Sequence, residues 1–195
     1  MPVWQLQRLR MVQSSKKPRL SRDAWLAEAL EVLAEDPTHL RVDQLARRLG
    51  VSKGSFYWHF ENRETFVRAL AEYWKDADTQ SVVRAIAGVD GGPREQFRVM
   101  LHAILAGRLS RYDLAVRAWA RIEPGIMPIV REVDEIRVAN VRGLFEDMGF
   151  EEPELTARSR VFIVAHSFED ALTIPLSEEG LLQQVEARFE FFTRQ

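Results

Sequence analysis

The segment Lys53-Gly54-Ser55-Phe56-Tyr57-Trp58-His59-Phe60 crowds an ammonium, hydroxyls, an imidazole and an indole into eight residues, and Arg63 follows three positions later. These groups suit hydrogen bonding to phosphate oxygens and base edges. At roughly 100° per residue along a helix, Phe56 and Phe60 fall on one side and Trp58 on the opposite side. Gly54 and Ser55 flank Trp58, and Tyr57 and His59 take the two edges. An aromatic and polar surface that so small a module has no reason to bury is thus turned outward. Gly54 lacks a Cβ and lets a flat partner approach the backbone. Lys53 adds positive potential at the start of this helix, and Arg63, at the start of the next, offers a second anion site. The competing reading has Tyr57, Trp58 and His59 completing a hydrophobic core.

The neighbouring residues supply the elements that must hold this surface. Val42, Leu45, Ala46 and Leu49 form one apolar helix face, and Gly50 follows as a helix-ending residue. Ser52 is suited to cap the short helix from Lys53, and Asn62 a third helix whose Phe66, Ala69, Leu70 and Tyr73 repeat at helical spacing. Helix, tight turn and helix is the architecture that sets its second helix in a DNA major groove. Ahead of it, Leu26, Ala29, Leu30 and Leu33 predict a helix begun at Ser21 and closed before Pro37.

The chain has 195 residues, 46% of them hydrophobic and 29% charged, with a formal net charge of -2. That balance predicts a folded protein with a real core. The total hides an asymmetry: residues 1–70 carry 12 Lys and Arg against 8 Asp and Glu, and the remainder 15 against 21. A basic first third on an acidic remainder suggests an anion-binding module joined to something else. The first twenty residues hold five basic and no acidic side chains, which reads as a disordered basic tail and not a targeting peptide. The most apolar run, Val161 to Ala165, is far below a membrane span, so no membrane partner and a cytoplasmic location are expected.

Catalysis finds little support. There is no Cys, and none of the four His pair as His-x-x-x-His, so no metal site is expected. No glycine-rich phosphate loop or serine elbow is present, and no cofactor is implied. The carboxylate pairs Asp134-Glu135 and Glu169-Asp170 consist of helical neighbours pointing about 100° apart, so neither converges on one reacting atom. No catalytic residue is assigned.

Beyond residue 75 the pattern stays helical, with no strand-length alternation. The polar run Gly88 to Pro93 marks a loop, and helices are predicted near 93–108, 110–122, 128–148, 154–173 and 178–193. The helix begun at Asn62 is expected to run to about Thr79. The last two helices are apolar on more than one face, which calls for cover on more than one face. Burial of Phe168, Leu172, Val185 and Phe189 against a second subunit is one use, and internal packing the other.

The block Leu45-Ala46, Gly50-Val51-Ser52-Lys53-Gly54-Ser55, Tyr57-Trp58-His59-Phe60 and Arg63-Glu64 resembles the DNA-binding domain of the tetracycline-repressor (TetR) family of transcriptional regulators over residues 21–74. The resemblance implies that Ser55, Tyr57, His59 and Arg63 contact the DNA backbone and that Lys53, Tyr57 and Trp58 meet bases. Two positions depart from the family pattern. Arg41-Val42 stands where many members have a Thr pair, and Glu61 brings a negative charge to the phosphate-facing edge. Residues 75–195 resemble the family's regulatory half more loosely, through Arg117-Ala118-Trp119-Ala120, Val133-Asp134-x-x-Arg137 and the final helix pair.

The expected fold is therefore all-α. An amino-terminal three-helix helix-turn-helix domain over 21–74 follows the tail at 1–20, and a helical ligand-binding and dimerisation domain fills 75–195. The implied function is a ligand-responsive repressor that binds a pseudo-palindromic double-stranded DNA operator as a homodimer and is released by a small apolar or aromatic effector. The alternative is a non-specific DNA-binding or scaffolding dimer without effector. Phe97, Met100, Trp119, Phe162 and His166 are candidates to line an effector pocket, though each type also serves in plain core. His102, Arg117 and Arg121 are further candidates, the arginines for an acidic effector.

Overall fold

The computed structural model describes residues 20–174 and 176–194, so the expected basic tail lies outside the described residues apart from its last position. Ten α-helices and no strand occur among the described residues. They are α1 (Arg22–Glu35), α2 (Val42–Arg48), α3 (Lys53–His59), α4 (Arg63–Lys75), α5 (Ser81–Ala87), α6 (Gly92–Gly107), α7 (Asp113–Ile122), α8 (Met127–Asp147), α9 (Glu154–Ser167) and α10 (Glu178–Thr193). The all-α expectation holds.

Three of the ten helices start on a side-chain cap. The Ser21 side chain accepts from Ala24 N–H, that of Asn62 from Thr65 N–H and that of Ser177 from Gly180 N–H. Ser52 occupies the N-cap position of α3 in extended conformation, yet its side chain makes no capping bond. Gly50, at φ +66°, turns the chain between α2 and α3 in the left-handed region that a side chain rarely adopts.

Two expected helix ends move. The helix begun at Asn62 does not stop near Thr79: a π-helical turn over Asp76–Gln80 carries α4 into α5, and one helical rod runs from Arg63 to Ala87. The helix expected to reach residue 173 ends at Ser167, where a 3-10 turn (Glu169–Ala171) takes over. Asp170 in that turn accepts from Arg108 at 3.1 Å and from the Ser110 hydroxyl at 2.9 Å, which draws the chain off the helix axis.

The apolar residues gather into two cores. The first holds Trp25, Leu30, Leu45, Phe56, Phe66 and Trp74 of the first four helices, and it takes in Val116, Trp119 and Val133 of α7 and α8. The second joins α5, α6, the far half of α8, α9 and α10 around Phe97, whose ring centroid lies 5.0 Å from Phe145 and 5.2 Å from Phe162. At 21 residues α8 is about 31 Å long at 1.5 Å per residue, enough to serve both cores.

This arrangement corrects two site expectations. Val185 and Phe189 do not face outward: both are buried in the second core, and Phe189 also carries the guanidinium of Arg98 on its ring at 4.1 Å. Trp119 is buried in the first core, because α7 packs on α1 and α8 there.

Candidate nucleic-acid interface and interior cavity

The placement of α3 begins with Phe56. Its ring meets Trp25 of α1 at 5.5 Å, Phe66 of α4 at 5.1 Å and Phe60 at 5.0 Å, so three elements converge on one buried side chain. Edge-to-face aromatic contacts of this kind add to the ordinary gain from burial. Phe60 closes the same cluster from the C-terminal end of α3 and is itself buried. With that side fixed, the geometry of a seven-residue helix leaves no freedom for the other. Trp58 is 73% exposed and Tyr57 62% exposed, Lys53 and Gly54 lie on the surface, and Ser55 and His59 are half-buried at its edges. All six residues thus share one end of the molecule, and the reading that Tyr57, Trp58 and His59 complete the core is not what the structure shows.

Two cations at this end have protein partners. Lys53 lies 3.5 Å from Asp43 of α2. Arg63, the first residue of α4, donates to Glu123, which follows α7. The pair keeps the Arg63 guanidinium above its ordinary pKa, the hydrogen bond to Glu123 being the main cause. Arg63 remains exposed. Sequence spacing gave no hint of Glu123, sixty positions away.

The second feature is a cavity of about 60 Å³ between the π turn, α5, α6, α8 and α9. Val82, Ile86, Met100, Ile104, Leu109 and Phe162 make its walls apolar. Asp78, Thr79, Ser110, Asp113, Arg137 and His166 bring polar groups to it. Of the five effector candidates, Met100, Phe162 and His166 line this cavity. Phe97 stands one layer behind Phe162 in the core, and Trp119 belongs to the other core, so neither reaches it. His102 and Arg121 are exposed, and Arg117 pairs with Asp134 at 3.0 Å. The polar groups of the π turn escaped the sequence reading because Asp76-Ala77-Asp78-Thr79 looks like a solvated helix end.

The cavity's polar groups are unequally satisfied. Arg137 reaches both carboxylate oxygens of Asp113, at 2.8 and 2.9 Å, and donates to the Thr79 hydroxyl at 2.9 Å. Burial raises the Asp113 pKa, and the Arg137 guanidinium opposes the rise. His166 is bonded through Nδ1 to the Phe162 carbonyl at 2.7 Å. A carbonyl only accepts, so Nδ1 carries the hydrogen, and burial drives the ring's pKa down to about 4. The neutral ring then presents Nε2 as a lone pair, and no described group bonds to it. Asp78 Oδ2 is likewise buried without a partner, and burial, with the nearby Asp113 charge, pushes its carboxyl up to about 8.

Three of the carboxylates weighed for catalysis are held by arginines. Asp134 is tied to Arg117, Glu169 to Arg188, and Asp170 to Arg108 and Ser110, while no cluster of three metal-ligating side chains exists among the described residues. No described helix is long and apolar enough to cross a membrane.

Comparison with known proteins agrees with this geometry. Residues 26–70 match the family model of bacterial regulatory proteins, tetR family. The chain is 32% identical over 120 residues to the tetracycline repressor protein class C of Escherichia coli, an overlap that takes in 60% of this chain and spans about half the length of that relative. In fold it is similar to SCO4454, a TetR-family transcriptional regulator from Streptomyces coelicolor, with a TM-score of 0.69 at 16% identity over 89% of this chain and 94% of that one. It is also similar to the ketosteroid transcriptional regulator KstR2 of Mycobacterium tuberculosis, with a TM-score of 0.67 at 16% identity over 93% and 95% of the two chains. The helix-turn-helix segment lies inside the residues that match the tetR-family model, and the chain as a whole has the fold of these regulators.

Proposed function

We propose that this protein is a ligand-responsive transcriptional repressor that binds a pseudo-palindromic operator as a homodimer and is released by a small, mainly apolar effector. The observation that carries the reading is the outward presentation of Tyr57 and Trp58 over a core that buries Trp25, Phe56, Phe60, Phe66 and Trp74. In this reading residues 21–74 form the DNA-binding domain and 75–195 the regulatory one. Lys53, Tyr57 and Trp58 meet base edges, Ser55, Tyr57, His59 and Arg63 hold phosphates, and Gly54 lets the DNA approach the helix backbone.

The dimer surface in this reading is the outer face of α9 and α10. Val161, Val164 and Phe168 lie exposed along one helix, Leu182 and Phe191 along the other, and Leu172 follows in the connecting segment. An obligate interface resembles a core cut in half. These side chains replace Val185 and Phe189, which the second core already uses.

Coupling follows from the continuous rod. Asp78 and Thr79 of the π turn and Val82 and Ile86 of α5 line the cavity, and the same rod begins at Arg63 beside α3. A ligand that prefers one setting of this rod biases the spacing of the two α3 helices in a dimer, and only such a difference in affinity shifts the equilibrium.

Selection from a random-sequence duplex library tests the reading. It should enrich two half-sites in two-fold relation, with centres about one helical turn, roughly 34–36 Å, apart. Retention of DNA with no enriched sequence would instead leave a non-specific DNA-binding or scaffolding protein.

A further inference from the structure

We infer that the effector is a compact apolar amine, held by its ammonium between Asp78 and His166. The inference rests on the cavity being the effector site of the function proposed above. It starts from two buried atoms with no hydrogen-bond partner at ordinary distance and angle among the described residues, Asp78 Oδ2 and His166 Nε2, whose residues line the same cavity. A buried polar group without a partner is costly and is retained where it has a use.

His166 Nε2 is an acceptor, and the Asp78 carboxyl, which burial keeps protonated, becomes one when it hands that proton to a basic ligand. The His166 ring spends its only hydrogen on the Phe162 carbonyl and has a lone pair to offer, and a carboxylate offers nothing else. The complementary group is therefore a donor with several hydrogens. The charges select among donors. Arg137, the cation lining the cavity, spends its hydrogen bonds on Asp113 and Thr79, so its charge and the nearby Trp74 indole only partly offset the burial of Asp78. An ammonium supplies a counter-charge and donates to both acceptors at once, and hydrogen bonds to a charged group are about twice as strong as neutral ones. An anionic effector would meet Asp78 and Asp113 with the guanidinium already taken. A neutral alcohol cannot take the Asp78 proton and brings no charge to the site.

The apolar part is set by Val82, Ile86, Met100, Ile104 and Phe162. At about 60 Å³ the cavity is well below the roughly 150 Å³ that admits a benzene ring, so it suits a compact ligand, and a single ring must widen it on entry. The position of Asp78 gives the ammonium its leverage, since the π turn joins α4 to α5 and single π turns often occur at functional sites.

Calorimetric titration of the full-length protein with benzylamine, benzyl alcohol and benzoate, three probes of one ring and different heads, tests the inference. Benzylamine should bind about 10- to 100-fold tighter than benzoate, the range for a hydrogen bond to a charged group. Asp78→Asn should erase that preference while keeping the affinity for benzyl alcohol. His166→Phe, which keeps a ring against Phe162, should weaken benzylamine severalfold and serves as a second variant if Asp78→Asn does not fold. Equal binding of all three probes, a preference for benzoate, or no binding of benzylamine up to millimolar concentration would overturn the inference. The same preparations are assayed on selected duplex DNA. DNA binding without an Asp78-dependent preference for amines would sink the ligand class alone, and amine binding without sequence-selective DNA binding would sink the regulator reading alone.

Discussion

The two ends of this molecule break the same rule in opposite directions. On the outside, α3 sets two large aromatic rings in water above a core in which Phe56, Phe60 and Phe66 are packed against one another. On the inside, the second core surrounds an acid and an imidazole whose acceptors find no described partner. Local rules fail in functional places, yet the two failures cost differently. An exposed ring costs little and waits for a flat partner, whereas a buried unpaired acceptor costs stability until a ligand satisfies it. The first belongs to a rigid reading surface and the second to a site poised to respond.

Breaking the support of the outer surface should have the largest effect on folding. Phe56→Ala removes a ring that touches α1, α3 and α4 and should cost about 3–5 kcal/mol in a denaturant titration. A loss below 1 kcal/mol would mean that α3 is held by other contacts. A charge on the two faces of the last helix pair separates core from interface. Phe189→Asp should unfold the chain, because it buries an unpaired charge in the second core. Val164→Asp should leave a folded monomer in sedimentation. A fully dimeric Val164→Asp protein would place the interface elsewhere.

The inner site predicts a pH dependence. Asp78 in the native state holds its proton up to about pH 8, whereas an unfolded aspartic acid releases it near 4. Over that window the native state binds the extra proton, so stability contributed by this group falls as pH rises from about 4 to 8. His166 runs the other way in acid. Its native pKa near 4 lies below the unfolded value of about 6.5, so stability is lost as pH falls through that interval. Asp78→Asn should flatten the profile between about pH 6.5 and 8 and steepen the loss on acidification below about 6.5, where the two groups had opposed each other. An unaltered alkaline side would show that Asp78 is ionised in its cavity.

The smallest effect concerns Glu123. It holds the guanidinium of Arg63 in an exposed pair, which is worth little to stability. Glu123→Gln frees Arg63 for a phosphate and should tighten DNA binding a fewfold, with the salt slope steeper by about one unit. Unchanged affinity in a salt series would mean that Arg63 is not at the DNA.

How much of this was legible beforehand depends on the range of the interaction. The helix-turn-helix could be read because caps and apolar spacing act within one turn or two: Ser21 and Asn62 cap as their types suggest, and Phe56 and Phe60 point inward as 100° steps require. The last helix pair could not. A helix apolar on two faces says that both need cover, but Val185 and Phe189 are chosen for the interior only by Phe97 and its neighbours, about ninety positions earlier. Trp119 fails for the same reason, since nothing local says that α7 packs on α1. Asp78 was hidden by the backbone itself, because the wider π turn sets it inward from a stretch whose composition reads as solvated.

The central claim, that the exposed aromatic face of α3 reads DNA sequence, is tested most directly by comparing Trp58→Ala with the unaltered protein in fluorescence anisotropy, on the selected duplex and on a random duplex at the same salt. Trp58 lies outside the core, so the variant should keep its stability to within about 0.5 kcal/mol. It should lose about 1–3 kcal/mol of discrimination on the selected duplex and bind random DNA unchanged. Equal binding of both duplexes by the variant and the unaltered protein would contradict the account.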